Sequence, residues 1–167
     1  MAQELAKRQE IVKYGPYGSK LCENFSLKLE GCERIKEVII RHGFIVDAIG
    51  FVIEKPCGGS FTKMFGGNLG RESRIQLKCG EFITQISGTY GNYKNQHNEC
   101  LIATLKIHTN LNPCGYGPYG EGRDVSNVCN FASPCPPEGP VVGFFGRHNN
   151  YLESLGMFVK KECGCPN

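Results

Sequence analysis

The sequence predicts an all-β protein built as a three-sided prism, and three observations support this fold class. The chain carries 22 glycines, spread among β-branched and aromatic residues in the manner of short strands joined by tight turns. Helix signals are nearly absent, because no segment combines helix-forming composition with an apolar stripe. A Gly-rich pattern also recurs three times along the chain, and a fixed period indicates a repeated structural unit.

The repeated unit begins with an aromatic residue before a Gly-rich turn. Its copies are Tyr14–Gly18, Phe65–Gly70 and Tyr116–Gly120, which start 51 residues apart both times. Each copy continues with an apolar strand that runs into a polar turn, and then with a second strand. The strand and turn segments are 37–43, 85–91 and 143–149, the following strands are 44–51, 100–107 and 150–157, and an insertion at 92–97 displaces the middle copy.

A unit of about 50 residues is too small to bury a sheet by itself, so the three copies are expected to share one core. Three sheets closed around an axis also leave few strand edges bare. A β-propeller is the alternative repeat fold, but it usually needs four or more blades. The residues expected to face the shared core are Ile39, Ile49, Ile86, Leu105, Phe144 and Leu155.

Length and charge fit a single domain with no membrane or nucleic-acid partner. The chain has 167 residues, and its 19 basic and 16 acidic side chains are scattered, giving a net charge of +3 without a basic block. No apolar run approaches the roughly 20 residues that cross a bilayer. The charged segment 1–13 predicts neither a signal peptide nor an anchor.

Ten cysteines are harder to reconcile with this picture. Their even count favours disulfides and an oxidising compartment, whereas the missing signal segment favours the cytoplasm, so cytoplasmic and secreted or vacuolar locations both stay open. The sequence-near pairs expected to bond are Cys22 with Cys32, Cys57 with Cys79, and Cys129 with Cys135. Zinc and other cofactors are not expected, because the one close pair, Cys163 and Cys165, lacks finger spacing.

Three segments together resemble the jacalin-related lectins: 81–91, 116–120 and 143–156, the last reading Gly-Phe-Phe-Gly-Arg-His and ending in Leu-Gly. The resemblance extends over about 12–160. It implies a β-prism of three four-stranded Greek-key sheets with pseudo-three-fold symmetry. We expect a flexible extension at 1–11, a lectin domain at 12–161 and a Cys-containing tail at 162–167.

The resemblance also implies a sugar site, in which a Gly-x-x-x-Asp turn faces a Gly-rich loop. Gly43 to Asp47 fits this turn, with Asp47 accepting sugar hydroxyls and the amides of Phe44 and Ile45 donating, while the amide of Gly70 closes the opposite wall. An ionised carboxylate that accepts two hydroxyls makes charge-assisted bonds. Glycine lets the backbone approach the ligand closely. Whether Leu69, which replaces a frequent glycine, narrows the cleft is open.

A second site is implied in the last copy, where the turn departs from the family pattern. Its residues are Asn149, Asn150, Tyr151 and Glu153, facing a loop that includes Ser19. The extra methylene of a glutamate carries its oxygens about 1.5 Å further than those of an aspartate. This site is left open between weak binding and none. The middle copy has Ile102 at the carboxylate position and is not expected to bind.

The implied function is a mannose/glucose-type lectin without catalysis. The chain runs unbroken through 20–34, where galactose-binding members are cut. Asp47 and Glu153 lie in separate repeats, which argues against a glycosidase pair. Weak single contacts favour an oligomer. The alternatives are a disulfide-rich defence or structural protein with faded binding, and a structural role for Asp47 in its turn. His42 and His148 are expected to be solvated.

Overall fold

The computed structural model describes residues 9–162, and within them the chain is almost entirely β-structure. One 3₁₀ turn, Lys94–Gln96, lies in the predicted insertion. The twelve strands are β1 (Gln9–Gly18), β2 (Phe25–Lys28), β3 (Arg34–His42), β4 (Val46–Glu54), β5 (Ser60–Gly66), β6 (Arg71–Gln76), β7 (Ile83–Tyr93), β8 (Glu99–Thr109), β9 (Tyr116–Tyr119), β10 (Val125–Ala132), β11 (Val141–His148) and β12 (Leu152–Glu162).

The strands form three four-stranded antiparallel sheets, which confirms the predicted β-prism. The first sheet has the order β1-β12-β11-β2, the second β5-β4-β3-β6 and the third β10-β7-β8-β9. The three aromatic and Gly-rich copies begin in β1, β5 and β9, which are edge strands of equivalent position, and the second copy continues into the loop after β5. The first sheet joins both ends of the chain, because β1 pairs with β12 in a register that places Tyr14 opposite Met157. Strand β1 includes residues 9–11 of the expected extension.

One apolar core lies between the three sheets. The fully buried rings of Phe51 in β4 and Phe144 in β11 stack with their centres 4.4 Å apart, which joins the second sheet to the first. Five of the six predicted core residues lie in this core, but Ile39 does not. Neighbouring side chains of a strand point to opposite faces, so Val38 and Ile40 face the core and Ile39 lines a cleft on the outer side of its sheet.

The strand connections divide between the two ends of the prism. The connections that follow odd-numbered strands lie at one end, called the top end, and those that follow even-numbered strands lie at the other, called the base. At the top end the connections contact one another, as where Glu121 N donates to Gly43 O at 3.0 Å. At the base, Phe82 N donates to Asn110 Oδ1 at 2.8 Å.

The expectation that His42 and His148 are solvated was wrong. His42 is buried, its Nε2 lies 2.7 Å from Ser73 Oγ, and its ring meets the edge of Tyr119. The ring of His148 packs edge-on against the two stacked rings of Phe25 and Phe65. Burial lowers the pKa of both histidines, and so each acts as a packing residue at the top end.

The expected disulfides were also wrong, because the eight cysteines of the described chain are free thiols. A disulfide needs Cα atoms within about 7 Å. Cys22 and Cys32 lie beyond opposite ends of β2, whose four residues alone span about 13 Å. Strand β3 separates β6, which precedes Cys79, from the β4 to β5 hairpin that carries Cys57.

The third pair fails for the same reason of distance. Cys129 lies within β10, and the extended chain from Cys129 to the strand end at Ala132 already covers about 10 Å before Cys135 is reached. Cys163 and Cys165 lie outside the described residues. None of the helical structure in 9–162 is long and apolar enough to cross a membrane.

Replacing Phe144 by alanine tests the shared core. We expect the free energy of unfolding to fall by about 3–5 kcal/mol, because the change leaves a cavity against Phe51. Urea unfolding followed by circular dichroism measures it. The control Val128→Ala, at a residue 54% exposed on β10, should change stability by at most about 0.5 kcal/mol. Equal effects of the two variants would refute a core shared between sheets.

Candidate functional site

The first candidate site lies at the top end, where the turn between β3 and β4 meets the loop between β5 and β6. Gly43 N donates to Ile45 O at 3.0 Å and closes the turn. Gly67 N donates to Asp47 O at 3.0 Å, which ties the loop to the beginning of strand β4. Main-chain hydrogen bonds therefore fix the relative position of the two segments, whatever their side chains do.

Two glycines allow this close approach. A Cβ on Gly66 would lie 2.3 Å from Asp47 O, and one on Gly70 would lie 2.6 Å from Asp47 Oδ2. Both glycines also have positive φ, +129° and +75°, which disfavours other residues. The structure thus places the carboxylate of Asp47 directly beside the backbone of Gly70, and it brings together all five residues predicted for this site.

The loop after β9 fixes the backbone of the turn by hydrogen bonds, and two amides of the turn have no partner in the described chain. The carbonyls of Gly43 and Phe44 accept hydrogen bonds from the amides of Glu121 (3.0 Å) and Arg123 (2.9 Å) in the loop after β9. The Arg123 guanidinium also lies 4.3 Å from the centre of the Phe44 ring. Within residues 9–162, the amides of Phe44 and Ile45 donate to no group. These amides are available to a ligand.

The carboxylate of Asp47 is largely withdrawn from solvent. The residue is 5% exposed, and burial raises its pKa, while the nearby Arg41 guanidinium opposes that rise. Arg41 itself donates to the carbonyls of Leu69 (3.0 Å, from Nε) and Gly70 (2.9 Å, from Nη2). No side chain or amide of the described chain donates a hydrogen bond to the Asp47 carboxylate, which keeps its acceptor capacity.

Leu69 does not fill the cleft, which answers the question left by the sequence. Its side chain is 64% exposed, so it lies at the rim. The backbone carbonyl of Leu69 accepts a hydrogen bond from Arg41, and this bond helps to fix the loop.

The second predicted turn has the same backbone but a different electrostatic arrangement. Asn149 N donates to Tyr151 O at 3.1 Å and Ser19 N donates to Glu153 O at 2.9 Å, matching the two bonds of the first site. The carboxylate differs, because Glu153 Oε2 accepts from Arg147 Nε at 2.6 Å in a partly buried ion pair. One of its oxygens is already satisfied by the protein.

Arg41 and Arg147 are functional residues that the sequence reasoning missed. Each stands six positions before its carboxylate, in the same Arg-His pair of the repeat, and that shared pair was the available signal. Arg41 donates to loop carbonyls, whereas Arg147 donates both to Glu153 and, through Nη1, to Cys22 O at 3.0 Å. The longer side chain of glutamate reaches the guanidinium of its own copy.

The two candidate sites adjoin each other. A Cβ on Gly67, in the loop of the first site, would lie 2.0 Å from Asn150 O in the turn of the second. The Tyr151 ring packs edge-on against Tyr93 with centres 5.6 Å apart, in an apolar cluster that includes Ile45 of the first turn. The cleft of about 500 Å³ on the outer face of the second sheet, lined there by Ile39 and Met64, extends to Gly67 and Asn150, but Asp47 is not part of its lining.

The middle copy lacks a comparable site. Ile102 is fully buried at the carboxylate position, and the turn before it closes differently, with Asn98 N donating to Tyr93 O at 3.0 Å. Within residues 9–162 no three His, Cys, Asp or Glu side chains are grouped as metal ligands.

The chain was compared with known families and proteins. The family model of the jacalin-like lectin domain matches residues 14–158. A mannose/glucose-specific lectin of Parkia platycephala is 32% identical over 156 residues, which covers 90% of this chain and 32% of the relative. The chain therefore spans about a third of the length of that lectin, and the Parkia pendula lectin gives the same coverage.

Two further proteins match over nearly their whole length. Horcolin from Hordeum vulgare is 28% identical and is covered to 96%, with 89% of this chain aligned. The solved structure of a mannose binding jacalin related lectin from Ananas comosus superposes with a TM-score of 0.70 at 26% identity. That match covers 92% of this chain and 99% of the other.

Removing the Arg41 charge should raise the pKa of Asp47 further. In the Arg41→Met variant the guanidinium that favours the carboxylate is gone, whereas burial still disfavours it. An NMR titration of the carboxyl carbon against pH measures the shift. Arg41→Lys, which keeps a positive charge, should raise the pKa less. An unchanged pKa in Arg41→Met would show that Arg41 does not act on Asp47.

Proposed function

The chain belongs to the jacalin-like lectin domain family, and we propose that it binds mannose or glucose residues of glycans, without catalysis, at one principal site around Asp47. The proposed lectin domain comprises residues 12–161. One observation carries the proposal: a carboxylate with free acceptor capacity lies beside Gly70 and near two amides that have no partner in the described chain.

This arrangement matches the chemistry of a pyranose ring. Neighbouring hydroxyls both donate and accept, so they need an acceptor and donors close together. Asp47 accepts from two hydroxyls, and the amides of Phe44 and Ile45 donate to ring and hydroxyl oxygens. The backbone of Gly70, which has no side chain, forms the facing wall. Hydrogen bonds to a charged group contribute about 1.5–3 kcal/mol each, so Asp47 dominates the affinity.

The mannose or glucose preference is supported by the relatives. The Parkia platycephala protein is named a mannose/glucose-specific lectin, and the Ananas comosus structure is described as a mannose binding lectin. Both align with about nine-tenths of this chain.

The second site, formed by Ser19, Asn149, Asn150, Tyr151 and Glu153, is proposed to bind sugar more weakly. Glu153 must share its carboxylate between the sugar and Arg147, whose Nε lies 2.6 Å away. Breaking this ion pair to serve a ligand is costly, because the Glu153 side chain is buried and its charge would lose a partner in a poorly solvated place. The backbone of the turn is otherwise competent, which keeps weak binding open to it.

The absence of catalysis is part of the proposal. Hydrolysis of a glycosidic bond needs two carboxyl groups that flank one bond. Asp47 and Glu153 belong to different turns, and each is tied to its own loop by its own main-chain bond. A site with one carboxylate is sufficient for binding a sugar, whereas hydrolysis would require a second carboxyl group at the same bond. No nucleic acid takes part in the proposed recognition.

Asp47→Asn should weaken binding of methyl α-mannoside by at least about tenfold, because the swap keeps the shape but removes the charge and one acceptor. Isothermal titration calorimetry measures the affinity. Glu153→Gln is the matched control and should change the affinity by less than about threefold. If Glu153→Gln abolished binding and Asp47→Asn did not, the principal site would lie in the last copy.

Gly70→Ala should abolish binding, because its Cβ would lie 2.6 Å from Asp47 Oδ2 and 2.7 Å from the main-chain oxygen of His42, and would push the loop away from the turn. Its control is Gly58→Ala, at a glycine of similar φ (+88°) with open space around the added atom. Both variants carry comparable backbone strain, so a difference in mannoside affinity on a glycan array reports the site itself. Equal affinity in the two variants would show that the wall beside Asp47 plays no part in binding.

A further inference from the structure

The turn of the principal site is supported by a loop of a different sheet. The loop after β9 belongs to the third sheet, whereas the turn joins β3 and β4 of the second. Three consecutive residues at the turn, 42–44, each accept a hydrogen bond from this loop. The donors are the amides of Gly120, Glu121 and Arg123, at 3.4, 3.0 and 2.9 Å. The middle copy, which has Ile102 at its own carboxylate position, thus fixes the turn of the first copy.

These bonds determine the direction of the two free amides. In a trans peptide unit the carbonyl and the amide hydrogen point in opposite directions. The carbonyl of Gly43 shares its peptide unit with the amide of Phe44, and the carbonyl of Phe44 shares its unit with the amide of Ile45. Because both carbonyls point at the loop after β9, both amides point away from it. The loop therefore orients two adjacent donors on the same side of the turn.

Arg123 contacts the turn through its side chain as well as its amide. Its guanidinium lies 4.3 Å from the centre of the Phe44 ring, which is 39% exposed. A cation over the face of an aromatic ring is attracted to the negative charge density of that face. Arg123 is thus joined to Phe44 twice, and the two contacts together restrict the residue that presents the first free amide.

The turn of the last copy has no such support. Within residues 9–162, no group donates a hydrogen bond to the carbonyls of Asn149 and Asn150, its first two residues. The loop beside them is the one after β5, where an added Cβ on Gly67 would lie 2.0 Å from Asn150 O. The amide of Gly67 already donates to Asp47 O, so it is not free to fix this turn. The two turns share a backbone shape, but a neighbouring sheet fixes only the first.

We propose that Arg123 is a positioning residue of the principal sugar site, and that the loop after β9 sets the affinity of this site by orienting the Phe44 and Ile45 amides. The inference rests on the proposed function. Arg123 acts through Phe44 and does not touch the sugar. Amides that are already oriented lose less conformational freedom on binding, so the affinity is higher than in a turn that the ligand must order. The last copy therefore has a second reason, besides Arg147, to bind more weakly.

The test measures the affinity of the full chain for methyl α-mannoside by isothermal titration calorimetry. Arg123→Met removes the cation over Phe44 and should weaken binding about two- to fivefold. Arg123→Lys keeps a cation there and should restore most of the lost affinity. Arg123→Pro also removes the amide that donates to Phe44 O, so it should weaken binding at least about tenfold.

Lys55→Met is the matched control. It removes a cation that lies 5.3 Å from the centre of the Phe61 ring, in the hairpin between β4 and β5 at the base. This variant should bind the mannoside as the parent chain does. If Arg123→Pro fails to fold, the comparison of Arg123→Met with Arg123→Lys and with the control decides the question.

A second measurement needs no sugar. Nitrogen-15 relaxation gives the order parameters of the Phe44 and Ile45 amides, which should be about 0.85 in the parent chain, as in rigid backbone. They should fall in Arg123→Met and fall further in Arg123→Pro, whereas Lys55→Met should leave them unchanged. A role of Arg123 in overall stability alone would not loosen these two amides selectively.

An affinity of Arg123→Met equal to that of the parent chain would overturn the proposal, and so would an equal loss in Arg123→Lys or order parameters that no variant changes. If Asp47→Asn lost binding while Arg123→Met kept it, the proposed function would stand and only this inference would fall. A parent chain that binds no mannoside would instead refute the proposed function, while the order parameters would still report on the two amides.

Discussion

One main-chain hydrogen bond, from Gly67 N to Asp47 O, is the constraint on which the candidate site depends. It brings the loop that joins the two edge strands β5 and β6 within bonding distance of β4, the strand that carries the carboxylate. Gly66 must then lack a side chain, because an added Cβ would lie 2.3 Å from the same carbonyl. The distance between Asp47 and the opposite wall follows from backbone geometry alone, so the cleft is formed before any ligand arrives.

The same backbone arrangement occurs twice, but the two copies differ in the length of the acidic side chain, Asp47 in one and Glu153 in the other. This difference of one methylene determines whether the carboxylate binds the neighbouring arginine. In the first copy Asp47 is too short to form a hydrogen bond with Arg41, which binds two loop carbonyls instead. In the last copy Glu153 reaches Arg147 and forms a partly buried ion pair. A guanidinium that supports the loop leaves the carboxylate to the ligand, whereas one that binds the carboxylate competes with the ligand. The repeat thus explains both the likeness and the inequality of the two sites.

The fold could be predicted from the sequence because its unit is repeated, whereas the residues proposed for the principal site came from the resemblance to the jacalin-related lectins. Glycines and aromatic residues at a fixed period reveal the sheets without any knowledge of contacts. The face of the sheet on which a residue lies is harder to predict from the sequence. Val38, Ile39 and Ile40 are all apolar, and only their register in the sheet shows that Ile39 lies on the outer face. The ion pair of Glu153 escaped prediction because it depends on side-chain reach.

The cysteines show where counting fails and topology succeeds. The even number of cysteines predicted internal disulfides, but a disulfide requires Cα atoms that lie close together. Two cysteines that are near in sequence but stand at opposite ends of one strand are too far apart to bond. Once the strand order is known, the same residues sort by end, with one thiol in every base connection. The glycine-rich loops require close backbone contact and therefore leave the top end no room to vary.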